Sequence, residues 1–207
     1  MTDAKVEPAY CNDSDALLPA IKETKERGCA PAELVADTAY GSDENVQQAA
    51  QEGIDVISPT LGKPKSKEEK LILDDFPVDR ETGRVTGCPG GEAPCEIREG
   101  EKGKLTITFD ATICAGCDHR EYCCVGLDAD HRWEYTPKQL RLAQRRVAEE
   151  SDEFCEKYRQ RSGIEAVNAK LKRVMKLGRL RVRGRARVRY TVNLKVLGWN
   201  ILQAVRA

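Results

Sequence analysis

Apolar positions between residues 33 and 59 predict two short strands joined by a helix. Residues 34–36 form an apolar run that stops at Asp37, and "IDVIS" forms a second, β-branched run before a proline. Between them, Ser42 stands where a helix cap is favoured, and Gly53 stands where that helix would end. Strands joined in this way form a βαβ unit, so we expect parallel strands with a right-handed crossover.

Helical periodicity marks both ends of the chain. Near the start, "DSDALLPAIKETKERG" predicts a helix capped by Asp13 or Ser14 and ended by Gly28. Near the end, "RGRARVRYTVNLKVLGWNILQAVRA" predicts a last amphipathic helix. Its apolar face comprises Val188, Val192, Val196, Trp199 and Leu202.

A long helix is predicted over "TPKQLRLAQRRVAEESDEFCEKYRQR" and the residues that follow. Thr136 and Gln139 have the spacing of a capping box, with a proline at the first helical position. Gly163 interrupts the pattern, and we expect a kink there because a glycine inside a helix costs about 1 kcal/mol.

Residues 60–132 differ in composition from the flanking segments. A polar loop, "GKPKSKEEK", is followed by short β-like pieces such as "KLTITFD", by glycines and by six of the nine cysteines. We therefore expect residues 60–132 to form an inserted, cysteine-rich subdomain between residues 1–59 and residues 133–207.

Charge is divided unevenly, although the whole chain is neutral with 34 basic and 34 acidic side chains. Residues 1–130 hold 14 basic and 27 acidic side chains, whereas residues 131–207 hold 20 basic and 7 acidic ones. A strongly basic end is typical of a protein that binds a polyanion, most simply nucleic acid. The alternative is that the two halves neutralise each other within the fold.

Targeting segments are not evident in the sequence. The first residues, "MTDAKVEPAYCNDSD", lack the apolar stretch of a signal peptide, and no run approaches the roughly 18 apolar residues of a membrane helix. We therefore expect a cytoplasmic protein with no membrane partner. Because cysteines stay reduced in that compartment, metal binding is the first explanation for nine of them.

The stretch "YRQRSGIEAVNAKLKR" places four chemically active side chains at helical spacing. Tyr158, Arg161, Glu165 and Lys172 fall on or near one stripe of a helix. Simpler interpretations exist, since Ser162 and Glu165 have the spacing of a capping box. Arg161 and Glu165 are also an i,i+4 pair, which on a surface contributes about 0.3–0.5 kcal/mol.

The order Tyr, Arg, Glu, Lys in this stretch resembles the Y-R-E-K signature of bacterial insertion-sequence transposases of the DDE class. Downstream, "LKRVMKLGRLRVRGRARVRYTVNLKVLGWNI" is similar to the C-terminal end of that family. Upstream, "ELVADTAYGSDENVQQAAQEGIDVISP" resembles the block around its second catalytic aspartate. The resemblance implies an α/β fold: an incomplete ribonuclease-H-like catalytic domain, interrupted by the cysteine-rich small β subdomain and completed by C-terminal helices.

By this resemblance, Asp37 is the second aspartate and Glu165 the glutamate of a catalytic triad that binds Mg²⁺ or Mn²⁺. Such enzymes use carboxylates to hold two divalent ions about 3.5–4 Å apart. Arg161 and Lys172 would contact DNA phosphates, and Tyr158 would pack against the DNA backbone or a base. Taken alone, Asp37 also fits a turn-forming residue, and Lys172 fits a solvated helix lysine.

One residue of the family pattern has no match. The first catalytic aspartate of the family lies on the first of three strands before the first helix, and Asp3, Asp13 and Asp15 all come too late. We therefore expect the C-terminal part of a DDE transposase that is inactive alone and associated with the nucleoid. Its expected partners are double-stranded DNA at transposon ends and targets, and full-length transposase or a second copy. The alternative is a non-catalytic DNA-binding regulator or inhibitor of the full-length enzyme.

Clustered cysteines provide candidate zinc ligands. Cys114 and Cys117 have the C-x-x-C spacing of metal ligands. Many relatives in this transposase group are similar in carrying a C-P-x-G turn, a C-x-x-C pair and a further cysteine. The predicted structural zinc ligands are Cys88, Cys114, Cys117 and Cys123. Cys95, Cys124 and His119 are alternative ligands, and buried reduced thiols without metal are the alternative to a zinc site.

Arginine occupies every second position from Arg179 to Arg189. If the segment is extended, these side chains form a one-sided ladder, and if it is helical beyond Gly184, they spread around the helix. We expect contacts with DNA phosphates, with pairing to acidic residues of the N-terminal half as the alternative. The predicted DNA-binding set is Tyr158, Arg161, Lys172, Arg173, Arg179, Arg181, Arg183 and Arg185.

Overall fold

The computed structural model describes residues 1, 4–8, 10–62, 70–79, 81–125 and 131–206. Its backbone divides into two compact units, the first comprising Met1–Ser58 with Asp152–Ala207 and the second Pro59–Ser151. Within the described part of the chain, none of the helices has the length and apolar character of a membrane span.

Seven strands and seven α-helices form the regular structure of the described residues. The strands are β1 (Glu33–Val35), β2 (Asp55–Ile57), β3 (Val78–Asp79), β4 (Arg84–Val85), β5 (Glu96–Glu99), β6 (Leu105–Thr108) and β7 (Arg132–Tyr135). The helices are α1 (Leu17–Glu26), α2 (Asp43–Gln51), α3 (Ala111–Ala115), α4 (Pro137–Glu149), α5 (Asp152–Arg159), α6 (Arg161–Arg173) and α7 (Arg185–Ala204). Short 3₁₀ helices occupy Asp13–Ala16, Thr38–Tyr40, Leu73–Asp75 and Glu101–Gly103.

The first unit contains the predicted βαβ arrangement. β1 and β2 pair in parallel, with Leu34 opposite Val56, and α2 joins them. The Ser42 hydroxyl accepts a hydrogen bond from the Asn45 amide at 3.2 Å, so the predicted cap is confirmed. The core of this unit consists of Leu17, Ile21, Ala36, Ala49, Ile54 and Val56.

The first helical segment begins one residue earlier than predicted. The Asn12 side chain accepts the capping hydrogen bond from the Ser14 amide at 3.3 Å, so the prediction of Asp13 or Ser14 as the cap was wrong. Asn and Asp cap helices about equally well, and the sequence "NDSD" offers both. Gly28 follows α1 with a φ of +69°, the left-handed conformation that favours glycine after a helix.

The long helix predicted from residue 136 is three helices. The break after α4 is a tight turn in which the Ser151 amide donates to the carbonyl of Ala148 at 3.1 Å. A second break at Gln160 separates α5 from α6. Gly163 lies inside α6 in a helical conformation, so the interruption predicted at this residue falls three residues earlier, at Gln160.

α7 carries apolar side chains on more than one face. Val196 and Trp199 are buried and Val188 and Val192 are half-buried, as predicted for its apolar face. Leu202 was assigned to that face but is 39% exposed. A further exposed row on α7 comprises Tyr190, Leu194, Leu197 and Ile201.

The second unit is a small β structure with α4 packed on it. β5, β6 and β7 form an antiparallel sheet in that order, and β3 pairs with β4. The Thr136–Gln139 capping box forms as predicted at the start of α4. This helix belongs to the second unit, whereas the sequence placed it with residues 133–207. The core of this unit includes Leu73, Phe76, Val85, Leu105, Ile107, Phe109, Val125, Tyr135, Leu140 and Ala143.

Candidate catalytic and DNA-binding sites

Asp37 lies at the carboxyl end of the parallel strand pair, where active sites of α/β sheets usually form. The backbone there is fixed, since the Ala36 amide donates to the Ile57 carbonyl at 3.0 Å and the Ser58 hydroxyl donates to the Asp37 carbonyl at 2.8 Å. One side-chain oxygen of Asp37 accepts a hydrogen bond from the Thr38 amide at 2.7 Å. Its other oxygen accepts a hydrogen bond from Arg161 of α6.

Both predicted catalytic carboxylates contact the guanidinium of Arg161. Arg161 Nη2 lies 2.9 Å from Asp37 Oδ2, and Arg161 Nη1 lies 3.3 Å from Glu165 Oε1. The side chains of Asp37 and Glu165 are 51% and 65% exposed, and that of Arg161 is 30% exposed. Residues from a strand end and from a distant helix thus converge on one cationic group at the surface.

Tyr158 lies beside this cluster. The Arg161 guanidinium is 5.9 Å from the centre of the Tyr158 ring, within the range of a cation–π contact. Tyr158 stacks on Phe154, with ring centres 5.7 Å apart and an angle of 14° between the rings. The order of Tyr158, Arg161 and Glu165 in the sequence therefore corresponds to a contiguous group in space.

An ion pair that the sequence analysis did not predict connects α5 to β1. Lys157 Nζ lies 2.8 Å from Glu33 Oε1 and 3.1 Å from Glu153 Oε1. Hydrogen bonds to Glu33 and then to Glu153 raise the pKa of Lys157 above its ordinary value. The partner on β1 lies far away in the sequence, so no local pattern could have identified it.

The simpler interpretations of Glu165 have different outcomes. The Ser162 hydroxyl donates to the Arg159 carbonyl at 2.9 Å, and Gln160 stands at the cap position without a side-chain cap, so a Ser162–Glu165 capping box does not form. The i,i+4 contact between Arg161 and Glu165 does form. Because Arg161 also contacts Asp37, this pair is part of a three-residue cluster.

The chemistry of the cluster suits a hard divalent cation. Carboxylate oxygens are the ligands that Mg²⁺ prefers, and a cationic group already sits between the two carboxylates. Asp37 and Glu165 are the residues that could hold such an ion. Among the residues that the structure describes, however, no three His, Cys, Asp or Glu side chains are arranged to hold a metal ion.

The remaining predicted DNA-binding residues are exposed on the C-terminal segment. Lys172 and Arg173 lie in the last turn of α6. Residues 180–183 lie outside helices and strands, and their exposed arginines alternate with the half-buried Leu180 and Val182. Arg179, Arg181 and Arg183 therefore face solvent before α7, and Arg185 begins that helix.

A basic cavity of about 450 Å³ lies in the first unit, between α1, α7 and the N-terminal segment. Arg185 and Arg189 line it from α7, and Lys5 and Arg27 lie 2.8 Å and 3.3 Å from Glu23. The hydrogen bond from Lys5, followed by the charges of Lys5, Arg27 and Arg189, lowers the pKa of Glu23. Arg185 and Arg189 belong to the arginine row noted in the sequence, but the sequence did not predict that Lys5 and Arg27 line the same cavity.

The four predicted zinc ligands line one small cavity of about 40 Å³ in the second unit. Gly90 brings the backbone close to it, since a Cβ atom there would lie 3.4 Å from the sulfur of Cys117 and 3.5 Å from that of Cys88. The short helix α3 supplies Cys114, and its cap is Asp110, which accepts from the Thr112 amide at 2.7 Å. The cavity-lining cysteines are Cys88, Cys114, Cys117 and Cys123.

The electrostatics of these thiols reflect their proximity. Burial, followed by the neighbouring cysteines Cys123, Cys88 and Cys117, raises the pKa of Cys114. Burial is also the main reason why the pKa of Cys123 is raised, and Cys117 and Cys88 raise it further. Such thiols stay protonated without a nearby cation, whereas a bound Zn²⁺ would stabilise their thiolates.

The alternative ligands occupy different positions. His119 lines the same cavity as the four cysteines. Cys95 is exposed and lies outside it. Burial raises the pKa of Cys124 to about 12, and this residue, like Cys95, is not among those that line the cavity. His119 is therefore the alternative that the geometry retains.

Comparison with models of protein families matches residues 87–205 to a family described as transposase DDE domain. The matched range covers more than half of the chain and contains Tyr158, Arg161, Glu165 and Lys172. The chain belongs to this family of DDE transposases. Membership of this family implies a ribonuclease-H-like fold, DNA as a partner and a role in DNA transposition. DDE transposases generally use divalent metal ions.

Some of the candidate site residues lie within the matched range and others lie outside it. It includes the cavity-lining cysteines and the arginines before α7, but Asp37 lies outside it. The contact between Asp37 and Arg161 therefore rests on the structure alone. No curated protein and no solved structure matches the chain.

Proposed function

We propose that this chain binds double-stranded DNA at transposon ends and targets, and supplies Asp37 and Glu165 to a divalent-cation site for strand cleavage and joining. The observation that carries the proposal is the contact of both carboxylates with one guanidinium. When bound, divalent ions would activate the attacking hydroxyl and stabilise the leaving oxygen. The protein would accordingly associate with the nucleoid.

The basic residues position DNA in this proposal. Arg161 and Lys172 on α6 hold phosphates next to the carboxylates, and Tyr158 packs against the backbone or a base. Contacts of this kind fix the orientation of a duplex without reading its sequence. Phosphates farther from the carboxylates are held by Arg173, Arg179, Arg181, Arg183 and Arg185.

The chain alone is proposed to be catalytically incomplete. Two carboxylates meet at Arg161, and two-metal phosphoryl transfer requires a fuller set of oxygen ligands. We expect no strand cleavage or joining when the purified chain is incubated with duplex DNA and Mg²⁺ or Mn²⁺. Divalent-dependent strand transfer by this polypeptide alone would contradict the expectation.

A second candidate function is a non-catalytic regulator that binds DNA or the full-length transposase. The exposed arginines before α7 favour it, because they can bind phosphates without any contribution from the carboxylates. The two functions differ in one respect: the regulator retains its full effect when Asp37 and Glu165 are neutralised.

We also propose a structural zinc ion held by Cys88, Cys114, Cys117 and Cys123. The four thiols share one cavity, and four-cysteine sets are a common ligand set of structural zinc. Their sulfurs would have to rotate into tetrahedral positions, since the described residues form no group poised around a metal. The ion would connect α3 to the turn that carries Cys88.

A manganese titration tests the proposed function. Mn²⁺ binding is followed by the electron paramagnetic resonance signal of the free ion, for the wild type, Asp37→Asn and Glu165→Gln. Each variant removes one carboxylate, so we expect at least a tenfold loss of affinity, equivalent to about 1.4 kcal/mol. Asp55→Asn is the matched control, because this exposed residue begins β2 at the opposite end of the same strand pair. Equal affinities in all four proteins would exclude the site.

A further inference from the structure

The cation between the two carboxylates is part of the chain itself. Arg161 offers one nitrogen to Asp37 and the other to Glu165, so each carboxylate receives a single ion-pair contact from one planar fork. We propose that Arg161 is an exchangeable counter-ion: it occupies the two carboxylates in the absence of metal, and moves to a DNA phosphate when a divalent cation binds them. This inference rests on the function proposed above.

The contacts are of a kind that exchanges readily. Exposed ion pairs contribute little because solvent and salt compete with them, whereas buried pairs are costly to separate. Both carboxylates are more than half exposed. The guanidinium can therefore leave the two carboxylates without leaving an unpaired charge buried in the protein.

The surroundings of Arg161 provide a place for the released side chain. The Tyr158 ring, which stacks on Phe154, lies next to the guanidinium. A guanidinium can stack on an aromatic ring while its N–H groups bind a phosphate. The same fork that binds carboxylates also matches phosphate oxygens, so a DNA phosphate is a suitable new partner.

Exchange of this kind links the two binding events. If Arg161 competes with the metal for Asp37 and Glu165, divalent cations free it for DNA, and DNA binding lowers the competition for the metal. Such a linkage is reciprocal in free energy, so each ligand must raise the affinity of the other. An Arg161 that served only as a phosphate contact would leave metal binding in the absence of DNA unchanged.

The test measures Mn²⁺ affinity without DNA in the full chain. The proteins are the wild type, Arg161→Gln, Arg161→Lys and the matched control Arg159→Gln, which removes the same charge from the exposed end of α5. We expect Arg161→Gln to bind Mn²⁺ on the order of tenfold more tightly than the wild type, because the competing ion pairs are lost. Arg161→Lys should lie in between, since an ammonium lacks the fork that spans both carboxylates. Arg159→Gln should stay within about twofold, as expected for an exposed charge that solvent and salt screen.

The reciprocal arm measures the affinity for a fluorescent duplex with and without Mn²⁺ at constant ionic strength. The wild type should gain affinity from Mn²⁺, and both Arg161→Gln and Asp37→Asn should lose that gain. Binding of Mn²⁺ to the duplex itself is common to all the proteins and cancels in the comparison.

Two results would overturn the inference. If Arg161→Gln, shown to be folded by circular dichroism, binds Mn²⁺ no more tightly than Arg159→Gln, Arg161 does not compete with the metal. If Asp37→Asn and Glu165→Gln leave Mn²⁺ affinity unchanged, the proposed metal site fails and the counter-ion exchange fails with it. If the carboxylate variants lose Mn²⁺ binding and Arg161→Gln binds Mn²⁺ like the wild type, the metal site stands and only the counter-ion exchange is refuted.

Discussion

Single residues carry the chemistry of this chain, and their positions follow from a few local interactions. Asp37 is fixed by hydrogen bonds at the end of β1, and Glu165 lies one helical turn after Arg161. Their convergence turns an ordinary i,i+4 pair into a cluster of two acids and one base. The proposed metal site requires both carboxylates together.

The cysteines give a second prediction at the residue scale. We expect the purified chain to carry about one zinc ion, measured by inductively coupled plasma mass spectrometry. Replacing Cys114 or Cys117 by serine should abolish zinc retention, because serine cannot supply a thiolate.

Cys95→Ser is the control for zinc binding, since Cys95 is exposed and lies outside the cavity. It should retain the metal content of the wild type. A wild-type protein without zinc, in which all nine thiols react freely, would contradict the proposed site.

At the level of elements, the arginines before α7 form a row of exposed cations. Replacing Arg179, Arg181 and Arg183 together by glutamine should weaken binding to duplex DNA. The slope of log affinity against log salt should also become shallower by about 0.9 for each phosphate contact that is lost. Fluorescence anisotropy over a series of salt concentrations measures both effects.

A control with equal charge removal separates phosphate contacts from net charge. Its three substitutions to glutamine affect exposed cations of the second unit: Arg84, Arg98 and Lys102. We expect this triple variant to keep the wild-type salt slope. Equal effects of the two triple variants would mean that the arginine segment makes no specific phosphate contacts.

The elements also show how far the sequence determines the fold. The caps at Ser42 and Thr136 and the parallel pairing of β1 with β2 were predicted correctly, because they depend on residues a few positions apart or on a single βαβ unit. The breaks around α5 were not predicted, because residues 150, 151 and 160 include neither proline nor glycine. Gly163 stays helical, as a single glycine costs a helix only about 1 kcal/mol.

For the candidate site, local spacing identified Tyr158, Arg161 and Glu165 as neighbours. The contact of Arg161 with Asp37 joins two distant segments, so periodicity could not have predicted it. The Lys157–Glu33 pair and the cavity between α1 and α7 were missed for the same reason.

At the scale of the whole molecule, family membership and structure support different parts of the account. The family match covers residues 87–205, and so includes Glu165 and the cysteine cavity. Asp37 joins the site only through the fold of the first unit, which combines the beginning and the end of the chain. The central claim is that these two carboxylates form a divalent-cation site.

Anomalous diffraction from crystals soaked in MnCl₂ tests that claim most directly. Our expectation is an anomalous difference peak that contacts the carboxylates of Asp37 and Glu165, with the Arg161 guanidinium displaced from both. An Arg161 that still bridges the two carboxylates, with no peak between them at saturating Mn²⁺, would contradict it.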